Sequence, residues 1–109
     1  MAIDLPRPIA DYFEADKGLN AEAVAACFAP VAVVRDEGHS YAGRDAIRRW
    51  KDQSSAKYTY TAEPFSIADE DGRIVVTCHV VGDFPGSPVD LRYFFALDGG
   101  EIAELEIVP

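Results

Sequence analysis

A chain of 109 residues accommodates one domain, spanning residues 1–109, with a single core. Its hydrophobic share of 49%, with six Phe, five Tyr and one Trp, is ample for a packed globule and excludes a disordered chain. A formal net charge of −9 repels phosphate backbones and anionic membrane surfaces, so neither nucleic acid nor a membrane is expected as a partner.

The N-terminus places Asp4, Pro6 and Pro8 where a signal peptide needs an apolar core. No later segment approaches the roughly 20 apolar residues of a membrane span, which predicts a cytoplasmic protein. Cys27 and Cys78 lie far apart within apolar runs and read as buried free thiols of a reducing compartment.

Pro6 and Pro8 favour a helix start near Pro8, and Gly18 stops that helix after Lys17. Ile9, Tyr12, Phe13 and Asp16 recur at helical steps, which turns the two aromatics inward. Asn20 caps a predicted second helix, Ala21 to Phe28, closed by Pro30. Ala32 to Arg35 is a short β-branched run ending at Asp36, and Gly38 marks a bend or bulge after it. The stretch from Asp36 to Trp50 carries a carboxylate, His39, Tyr41 and the single tryptophan, and reads as the rim of a pocket. Gly43 to Asp45 lead into a third helix through about Ser54, with Ala46, Ile47 and Trp50 inward and Arg48, Arg49 and Lys51 towards solvent.

From Lys57 onward the hydrophobic period becomes 2. Strands are predicted over Tyr58 to Ile67, Arg73 to Gly82, Val89 to Leu97 and Glu101 to Val108, joined by turns at Asp69–Gly72 and Asp98–Gly100 and by a loop through Pro85 and Pro88. Short turns imply antiparallel pairing. The result is an α+β domain, three helices on one curved antiparallel sheet.

Several segments together resemble the nuclear transport factor 2-like superfamily, and within it the SnoaL-like bacterial branch that includes ketosteroid isomerase and the polyketide cyclases. They are Tyr12-Phe13-Glu14-Ala15, Ala26-Cys27-Phe28-Ala29-Pro30, Asp36 closing the first strand, Gly43-Arg44-Asp45-Ala46-Ile47-Arg48, and Tyr93-Phe94-Phe95-Ala96-Leu97-Asp98-Gly99-Gly100-Glu101-Ile102. The resemblance implies a cone-shaped fold around an apolar pocket, with dimers formed through the outer face of the sheet. Alternation along the strands then proposes Tyr58, Tyr60, Val75, Thr77, His79, Arg92, Phe94, Ala96, Leu105 and Ile107 as inward, joined by Tyr12 and Trp50. The opposite face would show Val76, Cys78, Val80, Leu91, Tyr93, Phe95 and Leu97, an apolar surface that homodimerisation would cover.

In ketosteroid isomerase a carboxylate base on the first strand shuttles a proton and a tyrosine on the first helix stabilises the enolate. Asp36 and Tyr12 have a spacing similar to that pair, which implies Asp36 as base and Tyr12 as oxyanion donor. The isomerase completes its oxyanion hole with a protonated aspartic acid; Arg92 is expected at that position here, and Lys51 where a supporting tyrosine would stand. With His79 beside it, Arg92 would make a pocket for a small aromatic or acidic ligand. Acid and base steps of the isomerase, cyclase or dehydratase kind would then need no cofactor and no metal. The plainer alternatives are an internal Asp36–Arg92 ion pair, a packed Tyr12, a hydrogen-bonded His79, and a binding or dimerising accessory domain without catalysis.

Overall fold

The first helix begins where its prolines permit. A proline ring fits the first turn, where no backbone N–H is required, and α1 spans Arg7–Lys17 with Pro6 as its cap and Pro8 in the first turn. It ends at Gly18, whose N–H donates to Glu14 O. This structure, a computed structural model, describes residues 3–109. Asn20 Oδ1 accepts from Ala23 N at 3.1 Å and starts α2, Ala21–Ala26.

The second helix is two residues shorter than predicted, because Phe28 already belongs to β1, Phe28–Asp36. Pro30 is a strand residue rather than a helix stop. The expected bend after Asp36 is a hairpin: Glu37 and Gly38 both have positive φ, 53° and 78°, the backbone twist that a two-residue turn between antiparallel strands requires. It leads into β2, His39–Ala42, paired with β1. Helix α3 covers Arg44–Lys57, one turn beyond the expected end. The remaining strands are β3 (Tyr60–Glu70), β4 (Arg73–Gly82), β5 (Val89–Asp98) and β6 (Glu101–Val108).

The six strands form one curved sheet in the order β2-β1-β6-β5-β4-β3. Every neighbouring pair is antiparallel except β1 with β6, which run parallel and bring Asp36 level with Ile107. The helices cover one face. There Tyr12 and Phe13, 5.1 Å apart, meet Phe28, Tyr93 and Phe95 at ring-centroid distances of 5.3–6.5 Å, edge to face or tilted. Ile9, Val24, Ile47, Val76, Ile102 and Leu105 fill the space between these rings and are fully buried.

The inward set of β4 and β5 is the opposite of the one alternation proposed. Val76, Cys78 and Val80 of β4 and Tyr93 and Phe95 of β5 are buried in the core. Thr77, His79, Arg92 and Phe94 belong to the other face, as do Val75 and Ala96. Alternation alone does not say which of two faces is inward, and one extra residue defeats a count through the β5–β6 hairpin. Counted straight back from the Gly99–Gly100 turn, Leu105 would sit opposite Phe94. The register shifts between Ala96 and Leu97, however, so that Ala103 is unmatched and Leu105 pairs with Phe95. Leu105 of β6 is in the core and Ile107 lines the cavity, on the inner face as expected, whereas the residues proposed as inward in β4 and β5 are on the other face.

The outer face therefore differs from the apolar surface expected. Arg35 pairs with Glu104 at 2.8 Å and Arg73 with Glu106 at 3.2 Å. The ring of Phe94 lies under two guanidinium groups, Arg73 at 4.6 Å and Arg92 at 5.4 Å. The residues invoked to require a covering partner are in the core instead.

Candidate functional site

A cavity of about 380 Å³ opens between the helices and the inner face of the sheet. Its apolar walls come from Val80 of β4, Val89 and Leu91 of β5, Ile107 of β6, and Phe84 and Pro85 of the β4–β5 loop. Tyr58, packed edge-on against Phe84 at 6.1 Å, closes one side.

Asp36 stands on this cavity at the end of β1. The parallel β1–β6 register puts it on the same face as Ile107, and Trp50 Nε1 donates to its Oδ2 at 3.0 Å. Burial raises its pKa above the usual carboxylate value and the charge of Glu37 adds to that, while the Trp50 hydrogen bond and the charge of Lys51 oppose it; the net direction is upward. No Arg92 pair forms. Arg92 Nη2 reaches towards Pro109 O at 3.5 Å on the far side of the sheet.

The polar centre of the site is Lys51, which the sequence reading sent to solvent. Positions 47, 50 and 51 fall on one helical stripe, and Ile47, Trp50 and Lys51 are all buried on it. On α1 the stripe of Ile9, Tyr12 and Phe13 continues to Asp16, which is buried too. The two charges meet: Lys51 Nζ donates to Asp16 Oδ1 at 2.5 Å and to Tyr60 Oη at 2.7 Å, and Tyr60 Oη lies 3.2 Å from the same carboxylate oxygen. Burial works to lower the Lys51 pKa, but the charges and hydrogen bonds of Tyr60 and Asp16 outweigh it, and the net direction is upward. The group is thus an ammonium at neutral pH. It lies over the rings of Trp50 at 4.7 Å, Tyr60 at 5.4 Å and Tyr12 at 6.0 Å.

Tyr12 and Tyr93 also line the cavity. Burial, then neighbouring negative charge from Asp16 and other groups, pushes both phenols well above their ordinary pKa, so each keeps its proton and remains a donor. Neither hydroxyl enters the hydrogen bonds of Lys51, Asp16 and Tyr60, and the one buried side-chain polar atom without a partner among the described residues is Ser55 Oγ.

Of the residues predicted for the site, Asp36, Tyr12, Trp50, Tyr58, Tyr60 and Ile107 come together around the cavity. Leu105 is in the core behind it. Thr77, His79, Arg92 and Phe94 are on the opposite face, where His79 Nδ1 is 2.8 Å from Asp90 Oδ1 in an exposed pair. His39 is exposed on β2 and Tyr41 packs against Trp50 at 6.1 Å. No group of three or more His, Cys, Asp or Glu fit to hold a metal is found among the described residues.

Reading the chain alone sent Lys51 towards solvent while also putting it where a supporting tyrosine would stand, placed Asp16 on the inward stripe of α1 without a partner, and set Tyr93 on the outer face of the sheet. The signal for the first two was present: opposite charges, each falling on the apolar stripe of a different helix.

The arrangement separates two chemistries. A single carboxylate of raised basicity stands at one part of the cavity, and a group of donors, Lys51 with three phenols, occupies another. Such a site can take a proton from a bound molecule and stabilise the negative charge that results.

Comparison with known proteins agrees with this geometry. A protein from Sinorhizobium meliloti, provisionally assigned as a polyketide cyclase, is 42% identical over 96% of both chains, with a TM-score of 0.91. A Catenulispora acidiphila protein with a ketosteroid isomerase-like fold, solved with trimethylamine, shares 18% identity over 97% of this chain and 87% of its own, with a TM-score of 0.84. A cystatin-fold protein from Novosphingobium aromaticivorans shares 12% over 99% and 100%, with a TM-score of 0.77. These last two show likeness of fold alone. No curated protein matches the chain. The SnoaL-like domain model matches residues 9–105, nearly the whole chain, and with it the α+β cone and the cavity place this protein in the SnoaL-like domain family.

Proposed function

We propose that this domain binds a small aromatic or acidic organic molecule in its cavity, and that Asp36 moves a proton on that molecule in a cofactor-independent isomerisation, cyclisation or dehydration. The observation that carries the reading is Asp36 itself. It is a carboxylate made more basic by burial, held by one indole N–H on the wall of an apolar cavity, with no cation in direct contact. A structural carboxylate would be paired. The polyketide cyclase assignment of the Sinorhizobium meliloti protein supports the same class of chemistry.

In the proposed step Asp36 takes a proton from a C–H beside a carbonyl, the bonding electrons move onto the carbonyl oxygen, and Tyr12 donates to that oxygen. The proton then returns at another carbon, leaving the enzyme unchanged. The test is the titration of Asp36 followed by carboxyl NMR, together with hydrogen–deuterium exchange into an enolisable ketone. A pKa above the ordinary aspartate value and exchange abolished in Asp36→Asn support the reading. An Asp36 that titrates at or below the ordinary value rejects it.

We also infer a cytoplasmic homodimer. Phe65 is 51% and Val81 45% exposed on the β3–β4 pair, an area a second copy would cover, and the free Cys27 and Cys78 fit a reducing compartment. Sedimentation showing a monomer at micromolar concentration would rule the dimer out.

A further inference from the structure

We propose that the β4–β5 loop, residues 83–88, determines which molecules the cavity accepts: Phe84 is the contact that limits a buried ligand to about two fused rings, and Asp83 is the positioning residue that holds Phe84 in place. Ligand binding in the cavity, proposed above, is the premise; Asp36 acting as a base is not.

The strands dictate how the loop begins. β3 and β4 are last paired at Tyr60 and Gly82, and the next antiparallel rung would exchange two backbone hydrogen bonds between Thr59 and Asp83. One of them is made: Asp83 N donates to Thr59 O at 3.1 Å. In the other, Thr59 N donates at 2.9 Å to the Asp83 side chain, Oδ1, in place of the backbone carbonyl. The main chain is thereby released from the sheet at residue 83 while staying fastened to Thr59.

The return is fastened too. The pairing of β4 with β5 ends at Val80 and Val89, which leaves the Gly82 N–H beyond the ladder, and Ser87 Oγ accepts from it at 2.9 Å. Ser87 N donates in turn to Phe84 O at 3.3 Å, across the loop. At Gly82 a Cβ would come within 2.5 Å of Thr59 O, so the close approach of the two chains depends on glycine there.

The consequence is the position of Phe84. Because Thr59 and Asp83 are joined, their neighbours Tyr58 and Phe84 meet, with ring centroids 6.1 Å apart and planes at 68°, and both line the cavity. Phe84 is half-buried and packs against the core. The apolar lining from Val80, Val89, Leu91 and Ile107 belongs to strands, whose places the sheet fixes. Phe84 belongs to a connection and can be exchanged without moving Asp36. With Phe84 in place the cavity measures about 380 Å³, against the roughly 150 Å³ that takes one benzene. A third fused ring therefore stays outside, where it gains nothing from burial.

The probes are 2-naphthol and 9-phenanthrol, with two and three fused rings and one hydroxyl each, titrated by calorimetry. The unaltered protein is expected to bind 9-phenanthrol no more tightly than 2-naphthol. Phe84→Ala opens the wall beside Tyr58 and should shift the ratio of the two affinities at least tenfold in favour of 9-phenanthrol. Should Phe84→Ala fail to fold, Phe84→Leu is expected to shift it in the same direction. Asp83→Ala unfastens the loop and should move the ratio the same way, whereas Asp83→Asn keeps an acceptor oxygen for Thr59 N and should leave it unaltered. A residue that only stabilised the sheet would change the melting temperature and not this ratio.

An unchanged ratio in a folded Phe84 variant overturns the proposal, as does tenfold tighter binding of 9-phenanthrol than of 2-naphthol by the unaltered protein. An unchanged ratio in Asp83→Ala overturns the positioning role. The cavity is judged by Leu91→Trp, which fills it. If that variant still binds both probes, or the unaltered protein binds neither, the cavity reading falls and this inference with it. If Leu91→Trp excludes both probes and the Phe84 ratio does not move, the cavity reading stands and this inference alone fails.

Discussion

Asp16→Asn removes one charge from the buried pair and leaves the other. The substitution conserves volume, so the core around Ile9 and Tyr12 need not collapse, and the cost is that of an ammonium 2% exposed without its counter-charge. Removing one partner of a buried ion pair costs roughly 3–5 kcal/mol. For a domain of 109 residues, unfolding entropy of about 2.1 cal/mol/K per residue gives roughly 0.23 kcal/mol/K. The melting temperature should therefore fall by about 13–22 °C, a large part of the roughly 5–15 kcal/mol that holds a domain folded.

Lys51→Met combined with Asp16→Leu removes both charges and should fall within about 1 kcal/mol of the unaltered protein. Urea titrations of the unaltered protein, Asp16→Leu, Lys51→Met and the double variant complete the cycle and give the coupling energy directly. The pH dependence supplies a second check. The folded pKa of Lys51 is raised, so its stabilising contribution is complete below the unfolded lysine value and is lost as pH climbs through the folded one. The gap between the unaltered protein and Asp16→Asn should accordingly close on the alkaline side and stay open at neutral pH. A loss below 1 kcal/mol for Asp16→Asn, with the double substitution costing the same, would refute the buried pair as a coupled unit.

Trp50→Phe removes the direct hydrogen bond from Trp50 to Asp36, so the Asp36 pKa should move further up in a carboxyl NMR titration. Because the folded carboxyl already binds its proton more tightly than the unfolded one, Asp36→Asn should raise the melting temperature at neutral pH, with the gain vanishing below the unfolded aspartate pKa. Gly82→Ala brings a Cβ within 2.5 Å of Thr59 O and 2.6 Å of Tyr60 Cβ, so a loss of about 1–3 kcal/mol is expected by denaturant titration, along with weaker binding as Tyr60 is displaced. His79→Ala and Arg92→Ala lie on the outer face and should change stability by no more than about 0.5 kcal/mol and leave ligand binding intact.

The parts of the fold fixed by local chemistry were readable in the chain. Prolines and Gly18 bound α1, Asn20 caps α2, and β4 and β6 begin and end where their turn residues place them. The resemblance located Asp36 and Tyr12 on the cavity. His79 and Arg92 were misplaced because alternation groups residues into two faces without saying which face is inward, and the unmatched Ala103 means that a count through the β5–β6 hairpin does not settle it either. Residue chemistry pointed the other way: the set Val76, Cys78, Val80, Tyr93 and Phe95 is more apolar than Thr77, His79 and Arg92, and it is the set that is buried. Lys51 was misread because charge was taken as a sign of exposure before its position on the helix was counted. The partner that makes its burial tolerable lies 35 residues earlier in the chain.

The parallel pairing of β1 with β6 also governs when the site comes into being. Phe28 meets Ile102 and Asp36 meets Ile107, contacts between residues more than 70 positions apart. Such pairings are slow to form, since a long loop must close before they contribute any stability. During synthesis the three helices and the β1–β2 hairpin leave the ribosome well before β6 exists, so Asp36, paired until then only with His39, is not joined to the rest of the sheet until the last eight-residue element docks. The proposed base is thus among the last groups to acquire its orientation, and a chain cut short before Glu101 would carry every helix of this domain without an assembled site.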